Sequence, residues 1–275
     1  MVDASHISSA GRETLSRDAK LLRDAVREAG ALALSLFRTD LKKWTKASSS
    51  PVSEADIAVN ELLEARLRPA APDYGWLSEE SADEEGRLGK RRVWIVDPID
   101  GTRGYLAGRE DWCVSVALVE ESSPLLAAVF APASNEFFFA MRGQGATRND
   151  VRVQATGGID VDFSRVAGPK PLVARLSSAG DITPHPRIAS LALRLCRVAE
   201  GSLDAAFAGG QSHDWDLAAA DLIVQEANGR MTALSGEGLV YNRREVTHGV
   251  LVAAGRDRHA SFVAHFRNRC SAKVP

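Results

Sequence analysis

Leu22, Ala25, Val26, Ala29, Ala33, Leu36 and Phe37 fall on one stripe of a 3.6-residue repeat, which predicts a long amphipathic helix from about Asp18 to Phe37. The small polar run Ala47–Pro51 predicts a loop. Ser53 with Asp56 three positions on has the spacing of a capping box, and Ala55, Ala58, Val59 and Leu62 supply the buried stripe of a second helix that Pro69 or Pro72 ends. Beyond Gly75-Trp76-Leu77 comes an acidic stretch, Ser78 to Glu85, and then a turn over Gly86 to Gly89. From Val93 to Val153 the period shortens to β-branched and aromatic runs: Val93–Val96, Trp112–Val119, Leu125–Phe130, Glu136–Met141 and Thr147–Val153. Their links at Pro124, Pro132 and Gly143–Gly145 predict an antiparallel meander. After Gly157-Gly158, strands near Arg165–Ala167, Leu203–Phe207, Met231–Leu234 and Val250–Ala254 alternate with helices. Those helices carry Ile188, Leu191, Leu195 and Val198, run from about Asp214 to Ala227 with Gly229 as the stop, and begin near Asp257. The pattern predicts an α/β protein, with an N-terminal α+β half over 1–155 and a C-terminal α/β half over 156–275.

Composition adds mainly exclusions. The 275 residues carry a formal net charge of -2, with 45% hydrophobic and 25% charged, the balance of an ordinary globular chain with room for a large core. There is no basic excess for gripping a nucleic acid polymer, although a small charged substrate held through metal ions remains open. Cys113, Cys196 and Cys270 form no CxxC pair, so neither a zinc ribbon nor a disulfide framework is expected, and a reducing cytoplasm is. Met1 to His6 show no basic and apolar leader, and no apolar run is long enough to span a membrane.

Chemistry concentrates between Val96 and Tyr105. Arg92-Val93-Trp94-Ile95-Val96 reads as a buried strand, and Pro98, which cannot donate to a ladder, is expected to end it near Asp97. Asp97 and Asp100 then share a turn with no basic residue between them. Such a pair repels and resists desolvation unless a cation sits between the carboxylates, and an oxygen-rich turn suits a hard ion such as Mg²⁺. Glu79-Glu80, Asp56 and Asp216 are further acids at element boundaries. Taken singly, Asp56 and Asp216 serve equally as first-turn acids favoured by the helix dipole, with Asp214 an alternative cap, and Glu79-Glu80 as part of a solvated acidic face.

The clusters occur together and in order. Ser-Pro-Val-Ser-Glu-Ala-Asp at 50–56, Ser-Glu-Glu-Ser at 78–81, Trp-Ile-Val-Asp-Pro-Ile-Asp-Gly-Thr at 94–102 and Trp-Asp-Leu-Ala-Ala-Ala at 215–220 resemble the motifs of the inositol monophosphatase superfamily, from about Lys46 to Gly255. The resemblance implies Mg²⁺-dependent, lithium-sensitive phosphomonoesterase activity and a layered α/β/α/β/α sugar-phosphatase fold with the site between the halves. It implies that Glu79, Asp97 and the carbonyl of Ile99 hold one Mg²⁺, that Asp97, Asp100 and Asp216 hold a second, and that Glu80 and Asp56 serve a looser third. Asp56 and Thr102 are implied as the pair that orients the attacking water, and Glu79, Gly101, Thr102 and Asp216 as substrate contacts. Lys46 is placed as a helper, while His213 is expected to be a plain loop residue. Relatives are commonly homodimers, which β runs with exposed aromatics such as Phe137–Phe139 would permit.

Arg103-Gly104-Tyr105 stands where inositol phosphatases carry an asparagine and an aromatic, and it looks more like the 3′(2′),5′-bisphosphate nucleotidases. Ala208-Gly209-Gly210 offers no glutamate for inositol hydroxyls. The expected reaction is therefore hydrolysis of adenosine 3′,5′-bisphosphate to AMP and phosphate. Inositol 1-phosphate, histidinol phosphate and fructose bisphosphate are the competing substrates, and a catalytically silent metal-dependent binding protein is the competing class.

Overall fold

The computed structural model describes residues 9–45, 51–174 and 185–271. Lys46, the polar stretch 47–50 and residues 1–6 lie outside them. The chain begins with α1 (Ser9–Leu36), the short pair β1 (Lys43–Thr45) and β2 (Pro51–Ser53), and α2 (Glu54–Leu67). Next come β3 (Gly75–Ser78), β4 (Arg92–Asp100), α3 (Thr102–Leu106), β5 (Cys113–Glu120), β6 (Ser123–Ala131), β7 (Glu136–Met141), β8 (Gly145–Arg148) and β9 (Val151–Arg152). The remainder is β10 (Val166–Ala167), α4 (Lys170–Val173), α5 (Leu191–Ala199), β11 (Ala205–Ala208), β12 (Ser212–His213), α6 (Asp214–Glu226), β13 (Gly229–Ala233), β14 (Thr247–His248), β15 (Leu251–Gly255) and α7 (Arg256–Ser271).

Strand alternation builds the layers. In β4, Trp94 and Val96 face α1 and α2, packing with Leu22, Val26, Val59 and Leu63. Val93 and Ile95 face the other way, onto Leu195 and Val198 of α5 and Leu222 and Ile223 of α6. A strand covered on both faces must be apolar throughout, which is why 93–96 shows no polar alternation. The seven-stranded sheet runs β3-β4-β5-β6-β7-β8-β9, with β3–β4 parallel and the other pairs antiparallel. A four-stranded sheet, β10-β11-β15-β13, closes over the far side of α5 and α6. Its outer face, with Phe207 and Val252, packs on Phe262 and Phe266 of α7. The order of layers is thus α/β/α/β/α, and α6 is the central filling.

Several local expectations change. β4 does not end at Asp97 but continues through Pro98 to Asp100. The run Thr147–Val153 is two strands, because Asn149 and Asp150 take φ of 50° and 65° and fold it into a tight hairpin, as a two-residue turn with both φ positive does. Asn228, at φ 63°, rather than Gly229 takes the left-handed position after α6, and Gly229 opens β13. Phe137 and Phe138 are buried, and the guanidinium of Arg27 lies 4.2 Å from the Phe137 ring centre and that of Arg23 4.6 Å from the Phe139 ring centre. They offer no exposed aromatic face, because α1 lays these arginines over Phe137 and Phe139 while Phe138 points into the core on the other side of the sheet.

Gly255 is a packing constraint: a Cβ there would stand 2.1 Å from the carbonyl oxygen of Thr156, a backbone atom that cannot swing aside. Gly255→Ala should lose about 1–3 kcal/mol of stability through overpacking. Gly249→Ala, with no atom within 4 Å, should stay within about 0.5 kcal/mol in the same denaturant titration.

Candidate active site

Asp97 and Asp100 are an odd number of residues apart, so in an unbroken strand their side chains would point to opposite faces. Pairing with β5 runs regularly to Asp97↔Ser115 and resumes at Asp100↔Cys113, so β4 spends three steps where β5 spends two. That extra residue is a β-bulge, and it reverses the parity so that both carboxylates face one cavity. Pro98, with no N–H to satisfy, sits inside the bulge at no hydrogen-bond cost. Gly101 follows at φ 94°, and a Cβ on it would lie 3.0 Å from the amide nitrogen of Ser190, so only glycine fits the turn into α3.

Parallel pairing of β3 with β4 continues one residue past Ser78, where the Glu79 amide donates to the Val96 carbonyl at 3.2 Å and sets Glu79 beside Asp97. The Ser78 hydroxyl donates to Asn60 Oδ1 at 2.6 Å, and Asn60 Nδ2 and Trp76 Nε1 both donate to Ser81 Oγ at 3.1 Å, which shapes the 78–81 corner.

Two further acids arrive on helix starts by the same device. Asp56, the third residue of α2, accepts from the Ser53 amide at 2.8 Å and the Ser53 hydroxyl at 2.6 Å, which is the capping arrangement the sequence predicted. Its other oxygen faces Thr102, whose hydroxyl lies 3.1 Å from Asp56 Oδ1 and 3.0 Å from the Ile99 carbonyl. Asp216, the third residue of α6, accepts from the His213 amide at 2.6 Å. His213 is therefore the cap of α6 rather than a plain loop residue, and its ring stacks on Trp215 with centroids 4.7 Å apart. Asp214 is not the cap: fully buried, it accepts from the Asn242 amide at 2.7 Å and lies 2.7 Å from His248 Nε2.

Asp97, Asp100 and Asp216 converge so that one ligand oxygen from each lies within 4.8 Å of the others. Glu79, Ile99, Gly101 and Thr102 join them around a cavity of about 430 Å³ whose walls also include Arg103, Arg187 and Gln211. Glu80 and Asp56 are not among its described walls; Asp56 sits behind Thr102, and Glu80 stands on the adjoining corner. Sequence reasoning passed over Asn60, Arg187, Ser190 and Gln211. Only Ser190 carried a readable signal, a serine directly before an apolar helical run.

Burial pushes Asp97 well above the usual carboxylate range, and the charges of Glu79, Asp100, Asp216 and Asp56 push it further. Asp100 rises to about 6 through burial and the Asp216 charge, restrained by hydrogen bonds from Ser190, Ala192 and Leu191. Asp56 is raised by burial against the opposing bonds from Ser53 and Thr102. Asp97 Oδ1 is buried with no hydrogen-bond partner among the described residues. An orphaned carboxylate oxygen among like charges fits a cation, and an all-oxygen donor set fits Mg²⁺.

A carboxylate cage open to a small cavity suits a metal-dependent hydrolase, and the family of the chain makes it a phosphoric monoester hydrolase. The chain belongs to the inositol monophosphatase family, whose sequence model matches residues 14–270 and whose members depend on magnesium. It is 36% identical over 205 residues to the Nus factor SuhB of Xylella fastidiosa, covering 70% of this chain and 72% of that protein. It is 36% identical over 209 residues to the histidinol-phosphatase of Mycobacterium tuberculosis, covering 72% and 79%. Among solved structures, an IMPase/NADP phosphatase complexed with Mg²⁺ and phosphate superposes with a TM-score of 0.80 at 21% identity over 92% of this chain and 95% of that one, a likeness of fold. No helix among the described residues is long and apolar enough to cross a membrane.

Two outcomes follow from the cage. Asp97→Asn should lower turnover at least about 100-fold while the protein stays folded, with a metal-free melting temperature no lower than wild type, because the neutral amide ends the crowding of like charges that makes this carboxyl costly to ionise. Asp100 holds its proton more tightly folded than unfolded, so it stabilises the metal-free protein below the ordinary aspartate range and that stability is lost as pH rises through about 6. Mg²⁺ should accordingly raise the melting temperature more at about pH 8 than at about pH 5, where protons compete for its ligands.

Proposed function

We propose that this phosphatase acts on a substrate carrying a second anionic group, with adenosine 3′,5′-bisphosphate, cleaved to AMP and phosphate, as the first candidate. The observation that carries this reading is the presence of Arg103 and Arg187 on the wall of the same cavity as Asp97, Asp100 and Asp216. A guanidinium pairs with phosphate through two parallel N–H donors, so a second phosphate has partners away from the acids. In this reading Glu79, Asp97, the Ile99 carbonyl, Asp100 and Asp216 hold two Mg²⁺ ions, and Glu80 with Asp56 serves a third. Bound Mg²⁺ supplies neutralisation of the phosphate dianion and a water acidic enough to ionise near neutral pH.

The protein's own groups do the rest. Thr102 Oγ1 orients the attacking water and passes its proton to Asp56 Oδ1, 3.1 Å away, whose raised affinity for protons makes it the better acceptor. Gly101, Thr102, Glu79 and Asp216 line the path of the substrate. A cytoplasmic setting is supported by Cys113 and Cys196, both buried and unpaired.

A second reading, histidinol phosphate, is favoured by the name of the M. tuberculosis relative at 36% identity. Initial rates on adenosine 3′,5′-bisphosphate, histidinol phosphate, inositol 1-phosphate and fructose 1,6-bisphosphate rank the candidates, and the bisphosphorylated nucleotide should give the highest kcat/KM. Arg103→Ala should raise KM for it about tenfold and leave p-nitrophenyl phosphate hydrolysis within about twofold. A higher rate on histidinol phosphate, indifferent to Arg103, would sink the anionic-substrate reading. Thr102→Ala should lower kcat more than it raises KM, because its hydroxyl acts on the nucleophile in the transition state; the reverse split would make Thr102 a binding residue.

A further inference from the structure

Asp100 belongs to the N-terminal part of the chain, yet its hydrogen bonds come from the start of α5, some ninety residues later. The Ser190 hydroxyl donates to Asp100 Oδ2 at 2.6 Å, and the Ala192 amide donates to the same oxygen at 2.6 Å. Ser190 is fully buried. Its oxygen also accepts from the Leu193 amide at 2.9 Å and stands 3.2 Å from Cys113 Sγ. A hydroxyl has one proton and two acceptor lone pairs, so these contacts use it up: the proton goes to Asp100, and the lone pairs take Leu193 N–H and Cys113 S–H.

The segment bearing Ser190 is itself stapled in place. The Ser190 amide donates to the Asp111 carbonyl at 3.0 Å, and the Ala189 amide to Asp111 Oδ2 at 2.5 Å. Gly101 lets this backbone pass within van der Waals contact of the turn that follows Asp100.

We propose that Ser190 is a positioning residue for the metal site: as the cap of α5 it pins Asp100 Oδ2, leaves Oδ1 to the ion, and makes Mg²⁺ affinity depend on how α5 seats against β4. The proposal rests on the reading that Asp100 is a metal ligand. A partner that only fixes a ligand is typically worth ten- to a hundredfold in metal affinity. The competing role, a plain helix cap, predicts an effect on folding alone.

Ser190→Gly separates the two, because glycine is a nearly neutral replacement at a helix cap but has no hydroxyl. Titration calorimetry of the metal-free protein with MgCl₂ alone should show the Mg²⁺ Kd of Ser190→Gly raised about tenfold or more while its metal-free melting temperature stays close to wild type. Ser190→Thr, which keeps the hydroxyl, should restore Kd to within about threefold. The Mg²⁺ concentration for half-maximal activity should shift in parallel, with KM for the organic substrate at saturating Mg²⁺ unmoved. A Ser190→Gly Kd within twofold of wild type, measured where wild type binds Mg²⁺ normally, would overturn the positioning role and leave the metal site standing. Wild type that binds no Mg²⁺ would instead overturn the metal site and this role together.

Discussion

Like charges held together in a low dielectric are the condition the rest of this structure answers to. Asp97, Asp100 and Asp216 bring ligand oxygens within 4.8 Å of one another, the first two buried and Asp216 half-buried, where water screens them poorly. The answer comes largely from helix starts. Asp56 and Asp216 each bend back to the cap amide of α2 and α6, and Asp100 takes donors from the first residues of α5. The positive ends of these helix dipoles thus point at the acids, and free N–H groups that every helix start must satisfy are spent on carboxylates. Asp97 Oδ1, buried with no hydrogen-bond partner among the described residues, receives none of this help.

The layering follows from where those helix starts must stand. Both faces of α6 are apolar because it fills the space between the two sheets, with Leu217, Ala220 and Val224 among its buried positions. Burying it fixes Asp216 against β4 far more firmly than a surface helix would. Beneath the cap, Asp214 ties α6 to the Asn242 amide and to His248 in β14, so this acid is an anchor for the helix that carries Asp216.

Arginines fasten the large sheet and its edge to the later part of the chain. Arg197 of α5 reaches Glu136 of β7 at 2.5 Å, and the buried Arg87 donates to Asn242 Oδ1 at 2.7 Å and the Arg243 carbonyl at 3.1 Å. Arg87 is closed on its other side by Asp83 at 2.6 Å, so the acidic run at 78–85 is a fastening as well as a solvated face. These contacts matter to function because a cleft site keeps its geometry only if its walls do not slide.

Signals that act within a few residues were legible in the chain by itself: the helical stripes, the Ser53–Asp56 capping spacing, the continuous apolar run before Asp97, and the carboxylate motifs whose order points to the family. The first three are properties of backbone periodicity or of a cap, which are local, and the motifs are short runs whose order alone carries the family. The hairpin at Asn149-Asp150 has a local signal too, two residues that tolerate positive φ. What only the tertiary structure decided is parity and reach. A bulge set by pairing with β5 turned Asp97 and Asp100 to one side, α1 placed its arginines over Phe137 and Phe139, and packing of α5 brought Ser190 onto Asp100. No spacing along the chain encodes such contacts, because they arise from which faces the sheets and helices bury against each other, and that is settled by the whole core at once.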